Sequence, residues 1–151
     1  MAVVVSLVCK PAHLPSRPPE RYTREPLTEA TLLAGHGIAG DRKGGKGDRH
    51  INLMAAETLE QMRAEGFRTG PGEMGEQVVV SGLDLAALKP GERLRLGGNA
   101  VLCVVKPRTG CQRFREVQGQ PLTGTTGRLG LMLTVEAGGV VRVGDPVEVL
   151  R

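Results

Sequence analysis

Short Val/Leu runs alternate with glycine and proline along almost the whole chain, with 22 Gly and 10 Pro in 151 residues. That punctuation predicts many turns joining short strands, because glycine and proline break regular structure. There is no Trp, one Tyr and two Phe, so the core must come from Val, Leu, Ile, Met and Ala. The length suits one domain over residues 1–151, enough to bury a real core. No linker, internal repeat or low-complexity tail interrupts it.

Read in order, residues 3–9 form a first strand. They are not a signal segment, since a basic leading region is missing and the apolar run is short. Residues 10–26 hold five prolines and are expected as a long irregular connector. Strands follow at 29–33 and 49–54. Residues 55–65 are helix formers, with Leu59 and Met62 as an inward stripe and Gly66 as the C-terminal cap. Further strands are expected at 78–80, after the Lys89-Pro-Gly91 turn as far as Leu96, and at 101–106, 131–136, 140–143 and 147–150. Gly138-Gly139 between apolar runs predicts a hairpin turn. The expected class is mainly β and barrel-like, with one clear α-helix and few short ones. Helices are too few for a doubly wound parallel sheet.

The three cysteines show no CxxC spacing and no histidine partner set for zinc. Cys9 and Cys103 lie in apolar strands and are expected to be buried. An odd count with two buried thiols argues for a reducing, cytoplasmic setting. No apolar run reaches membrane-spanning length. Cys111 stands apart. Lys106, Arg108, Arg113 and Arg115 lie within five residues of it. Positive charge favours thiolate, the form that attacks electrophiles and binds metals. The plain alternative is a half-buried loop cysteine among solvated cations.

Charge is distributed unevenly. Residues 1–50 carry eight cations against five acids, 51–100 five against seven, and 101–151 seven against four. The basic excess at both ends suits a small anionic ligand as readily as nucleic acid. Residues 35–47 form a Gly-rich loop with Arg42, Lys43 and Lys46, suited to close approach by an anion. It lacks the Gly-Lys-Ser/Thr ending of a phosphate-binding P-loop and the GxGxxG of a dinucleotide site.

The order of pieces is more specific than any one of them. Gly37-Ile-Ala-Gly-Asp-Arg42 is followed by Arg49-His-Ile-Asn-Leu-Met54 and Gly72-Glu-Met-Gly-Glu-Gln77. Then come Val80-Ser-Gly-Leu-Asp-Leu85, Leu88-Lys-Pro-Gly-Glu-Arg-Leu-Arg-Leu-Gly97, the Cys111 loop and Gly138-Gly-Val-Val-Arg-Val-Gly-Asp145. Together they resemble the MOSC domain, named for the C-terminal domain of molybdenum cofactor sulfurases. The resemblance implies a barrel-like β fold and binding of the molybdenum cofactor, a molybdopterin. The activity it implies is sulfur carriage in cofactor maturation, or molybdenum-dependent reduction of N-hydroxylated compounds. Cys111 matches the family's single cysteine, as sulfur carrier or metal ligand. The family often shows Gly-Asp-Arg-His where this chain has Lys43, and Gly-Glu-Asn where it has Gln77. The resemblance also implies a separate electron- or sulfur-donor protein as partner.

The chemistry of a phosphorylated pterin fits the same residues. Its phosphate calls for cations such as Arg42, Lys43, Lys106, Arg108 and Arg113. Its pterin edge suits Asn52, Glu76 and Gln77, and its soft metal suits Cys111. These segments are expected to converge on one basic pocket. The rival reading is a small basic β-barrel that binds nucleic acid or a protein without catalysis. Tyr22, Phe67 and Phe114 are the whole aromatic supply, which counts against single-strand binding. A third reading is a structural partner of a larger molybdoenzyme, indifferent to Cys111.

Overall fold

Alternation of apolar side chains sets which face of each strand is buried. The computed structural model describes residues 1–11, 22, 24–42, 44–45, 47 and 49–151. Its elements, in order, are β1 (Val3–Cys9), β2 (Glu25–Leu27), β3 (Glu29–Leu33), β4 (Gly37–Ile38), β5 (Ile51–Ala55), α1 (Ala56–Ala64) and β6 (Val78–Ser81). A single 3-10 turn, Leu85–Ala87, precedes β7 (Arg93–Leu96) and β8 (Ala100–Pro107). Then come α2 (Gln112–Gln118), β9 (Leu131–Ala137), β10 (Gly139–Arg142) and β11 (Val147–Leu150). No helix among the described residues is long and apolar enough to cross a membrane.

The strands form an eight-stranded sheet, ordered β11-β7-β8-β9-β5-β6-β1-β2, and a three-stranded sheet, β10-β3-β4. All pairings are antiparallel except β5 with β6. That parallel pair needs a long crossover, which α1 begins. The mainly β class is as the sequence predicts, but the sheets do not close into a barrel. The start of β1 nevertheless meets the chain that enters β11, at the far edge of the large sheet. Val4 N–H donates to the Asp145 carbonyl at 2.8 Å, and Val147 N–H to the Ala2 carbonyl at 2.9 Å. Between them Val3 makes only an isolated bridge with Pro146. Proline has no N–H, so the ladder cannot propagate through it.

One apolar cluster takes Leu7, Leu53, Val78, Val80, Leu102 and Leu133 from the large sheet, with Leu32 and Val141 from the small one. The opposite face of β5 and β6 gives Met54 and Val79 to a second cluster, with Leu59 and Met62 of α1 and Phe114 of α2. Central strands buried on both faces read as continuous apolar runs, as 78–80 does. On β9 the same alternation sends Leu131, Leu133 and Val135 to the first cluster and turns Met132 outward toward α2.

Three expectations need correction. Gly138-Gly139 does not close a hairpin: β9 pairs with β5 and β8, whereas β10 pairs with β3. The chain changes sheets there, and Gly138 makes this possible. A Cβ on it would lie 2.6 Å from the Leu32 carbonyl oxygen. Cys103 is half-buried, not a core residue. It lies out of phase with the buried Leu102 and Val104, opposite Arg93 and Thr134. The Cys111 segment, expected as loop throughout, contains α2. The irregular 10–26 stretch ends in β2, and its residues 12–21 lie outside the described residues.

Candidate functional site

Five stretches distant in sequence meet on the α2 side of the large sheet, and two of them supply most of the cleft. Strand β8 ends at Pro107, and Arg108 continues its direction, with its N–H donating to the Gly130 carbonyl at 2.9 Å. Cys111 is the N-cap of α2, in extended conformation, and its carbonyl accepts the Arg115 N–H. Gly119 stops this helix in the left-handed region, with φ 65°. Phe114, Val117 and Gln118 are the buried stripe that docks it. Gln118 fastens the neighbouring turn by accepting from the Arg68 N–H at 2.8 Å and donating to the Glu73 carbonyl at 2.8 Å.

The second segment is the 70–77 turn. Glu76 is 1% exposed, and its carboxylate accepts the N–H groups of Gly72 and Met74 at 2.7 and 3.1 Å. Burial pushes its carboxyl up, against those hydrogen bonds and the charge of Arg108. Gln77 accepts the Asn52 N–H at 2.8 Å and donates to Asp41 at 3.4 Å. Asn52 donates to the Gly75 carbonyl at 3.4 Å. Gly75 has φ +80°, and a Cβ there would lie 2.8 Å from Arg108 Nη2 and 3.1 Å from Tyr22 Cζ. Only glycine leaves room for both side chains.

Between these segments lies a cleft of about 330 Å³, lined by Arg24, Arg49, Lys106, Arg108, Arg113, Tyr22, Asn52, Gly75, Gln77, Thr109, Gly110, Cys111 and Met132. Five of these carry positive charge and none is a carboxylate. Arg108 is buried, its guanidinium 5.9 Å over the Phe114 ring, with Nη1 3.9 Å from Met54 Sδ. Burial lowers its pKa, opposed by the charges of Tyr22, Glu76 and Cys111. Guanidinium stays charged even so. Burial likewise raises the Tyr22 phenol, and Cys111 adds to that rise while Arg108 opposes it. Cys111 itself is exposed. Burial raises both other thiols, Cys9 further by Asp41 and Cys103 further by Glu136.

A larger groove of about 640 Å³ lies behind the same turn, between β1, β2 and α1. Among the described residues its lining holds no cysteine and no cluster of cations, so the smaller basic cleft is the better candidate site.

Of the residues expected from sequence, Asn52, Gln77, Lys106, Arg108, Cys111 and Arg113 line this cleft. Glu76 stands behind it as the anchor of the turn. Arg42 is exposed and is not a lining residue, although the adjacent Asp41 reaches Gln77. Lys43 lies outside the described residues. His50 is fixed in the scaffold: Nδ1 accepts the Val135 N–H at 3.0 Å, which leaves Nε2–H to face the Gly47 carbonyl at 3.0 Å. Sequence reasoning treated Tyr22 and Arg24 as part of a solvated connector and did not single out Arg49 or Met132. Met132 was recoverable, since it alternates with the inward Leu131 and Leu133. Nothing local marks Tyr22 and Arg24, because the partners that bring them to the cleft are far along the chain.

No curated protein matches the chain in sequence. Among solved structures it is similar to the YuaD protein from Bacillus subtilis, at 23% identity and TM-score 0.78, covering 99% of this chain and 96% of that one. It is similar also to YiiM from Geobacillus stearothermophilus, at 19% identity and TM-score 0.74, covering 100% and 76%. YiiM from Escherichia coli aligns at 21% identity and TM-score 0.66, covering 97% and 69%. These likenesses establish the fold. The MOSC domain family matches residues 39–148, a span that includes every cleft segment except Tyr22 and Arg24. By that match the chain belongs to the MOSC domain family, which is associated with molybdenum cofactor binding proteins.

Proposed function

We propose that the cleft binds the molybdenum cofactor and that Cys111 is its reactive protein group, as sulfur carrier or metal ligand. The observation that carries this reading is one cleft holding an exposed thiol, a buried guanidinium and four further cations, with no carboxylate among the described residues that line it. The residues fit the group. About 330 Å³ is at the small end of the range for small-molecule sites. Gly75 leaves open the space beside Arg108 and Tyr22 that a side chain would fill. Among the described residues no group of three or more His, Cys, Asp or Glu could hold a metal. In the ligand role Cys111 would supply a soft protein donor to a cofactor-borne metal.

Arg108 and Lys106 hold the phosphate, with Arg113 beside them. Asn52 meets the pterin edge, and Gln77, whose own amide is engaged by Asn52 and Asp41, holds Asn52 in place. When bound, the cofactor supplies a soft, redox-active metal at its dithiolene. The cations draw an anionic ligand to the rim at which Cys111 is exposed. Electrons or sulfur arrive from a separate donor protein. The nucleic-acid alternative lacks support: Phe67 and Phe114 are buried, and the Tyr22 ring is already engaged by the guanidinium groups of Arg24 and Arg113.

The test is purification from a host that makes the cofactor, with metal analysis and pterin fluorescence. Wild-type protein should retain molybdenum and pterin near one equivalent each, and Arg108→Gln should lose both. Cys111→Ser separates the two roles. A metal ligand loses molybdenum but keeps pterin, whereas a sulfur carrier keeps both and loses persulfide loading. Wild-type protein that retains neither metal nor pterin refutes the reading.

A further inference from the structure

Tyr22 makes one wall of the cleft, and it is built unlike the others. The guanidinium carbon of Arg24 lies 5.2 Å from the ring centroid, and that of Arg113 lies 5.3 Å from it. Both are within about 6 Å, the reach of the ring's negative face for a cation. One ring thus serves two cations from opposite ends of the sequence, and all three side chains line the cleft. The ring is held in turn. Gly75 lies against it, and the second apolar cluster packs beside it.

Arg24 already feels the like charge of Arg108, and guanidinium groups that share one partly desolvated cleft repel each other. Free arginine side chains would relieve that repulsion by swinging into solvent, and they carry much rotamer freedom with which to do so. Ring contact opposes both tendencies. It offsets part of the repulsion and reduces the entropy still to be lost when an anion arrives. An anion with two or more negative oxygens is the ligand that gains from a paired, prealigned set of guanidinium donors. Arg108 differs, since it rests on Phe114 and not on Tyr22.

We infer that Tyr22 is a positioning residue that holds Arg24 and Arg113 as a pair, and that this pair binds a phosphate-type oxyanion at its wall of the cleft. The inference rests on the anion-binding half of the cofactor reading and needs no metal. The phenol oxygen is not the working part; the ring face is. That separates the role from a hydrogen-bonding one, because phenylalanine keeps the face and loses the hydroxyl.

The test is calorimetric binding of inorganic pyrophosphate to the full chain. Tyr22→Phe should bind within about twofold of wild type, and Tyr22→Leu should bind roughly five- to tenfold more weakly. Arg113→Gln should weaken binding in the wild-type background and much less in the Tyr22→Leu background, because the pair acts as one unit. Tyr22→Met fills the packing position if the leucine variant does not fold, and the same weakening is expected of it. Three results overturn the inference: Tyr22→Phe as weak as Tyr22→Leu, no weakening in Tyr22→Leu or Tyr22→Met, or an Arg113→Gln effect that is equal in both backgrounds. Absence of pyrophosphate binding in wild type overturns the inference and the anion half of the cofactor reading together. Pyrophosphate binding that depends on Tyr22, in a protein that retains no pterin, upholds the inference and removes only the cofactor.

Discussion

The three cysteines differ in what surrounds each sulfur, and reactivity follows from that. Cys111 is exposed at the rim of the basic cleft. Cys9 is 7% exposed, and burial with nearby Asp41 raises its thiol. Cys103 is half-buried beside Arg93 and Glu136, and burial with that carboxylate raises it as well. Iodoacetamide at neutral pH should therefore label Cys111 first, as peptide mass spectrometry would read. Earlier labelling of Cys9 or Cys103 would mean that exposure and local charge do not set the order. The position of Cys103 also changes what its substitution does. A core cysteine exchanged for serine buries an unpartnered hydroxyl, at a cost of about 1–3 kcal/mol. Cys103 faces out of the core, so Cys103→Ser should shift the urea midpoint by no more than an ordinary surface change, about 0.5 kcal/mol.

At the scale of elements, α2 turns a cation-rich sequence into a site. Phe114 is fully buried, packs 6.5 Å from the Phe67 ring and lies under the Arg108 guanidinium. Removing it opens a cavity and takes away the surface on which Arg108 rests. Phe114→Ala should cost about 3–5 kcal/mol. Phe114→Leu should recover most of that stability, since volume is nearly kept. It should not recover anion affinity, because leucine offers no ring face to the guanidinium. Equal anion affinity in Phe114→Leu and wild type would show that the ring serves packing alone. This helix was readable in part. Phe114 and Val117 stand at i,i+3 and Gly119 is a ready C-cap, but five polar residues in a seven-residue helix mask the stripe. The strands were plainer, because Val and Leu runs bounded by glycine admit few alternatives. Which strand pairs with which was not readable. The Gly138-Gly139 turn carries a hairpin signal, and a distant contact with Leu32 overrides it.

At the scale of the whole molecule, the site draws on Tyr22 and Arg24, on Arg49 and Asn52, on Gly75 and Gln77, on the segment from Lys106 to Arg113, and on Met132, and only the last four groups lie within the family match. Asn52, Gln77 and the Cys111 segment were legible because each combines an unusual composition with a place at a strand end. Tyr22 and Arg24 were not, because their placement depends on contacts with residues 72–75 and 113. The buried acidic groups share one pH response, whereas burial lowers the Arg24 and Arg108 guanidinium groups. Burial raises the Glu76 carboxyl, the Cys9 and Cys103 thiols and the Tyr22 phenol above their ordinary values. A raised folded-state value means that the native protein holds its proton where the unfolded chain has released it. Stability from such a group is fully present below the unfolded value and is lost as pH rises through the folded one. For Glu76 the loss begins above 4.5, for the thiols above 9.0 and for Tyr22 above 10.0. The carboxylate that opposes this trend, Glu65, is lowered by its hydrogen bond to Arg128 in an exposed ion pair, and such pairs contribute little. Urea midpoints should therefore fall from pH 5.5 to pH 8 and fall again above pH 9. Glu76→Gln should flatten the first segment while lowering the whole curve, since Gly72 and Met74 donate to different carboxylate oxygens and an amide places an NH2 donor at one of them. Cys9→Ala combined with Tyr22→Phe should flatten the second. A midpoint that rises steadily from pH 5.5 to pH 10 would place the controlling charges on the surface and remove Glu76 as the group that sets the slope.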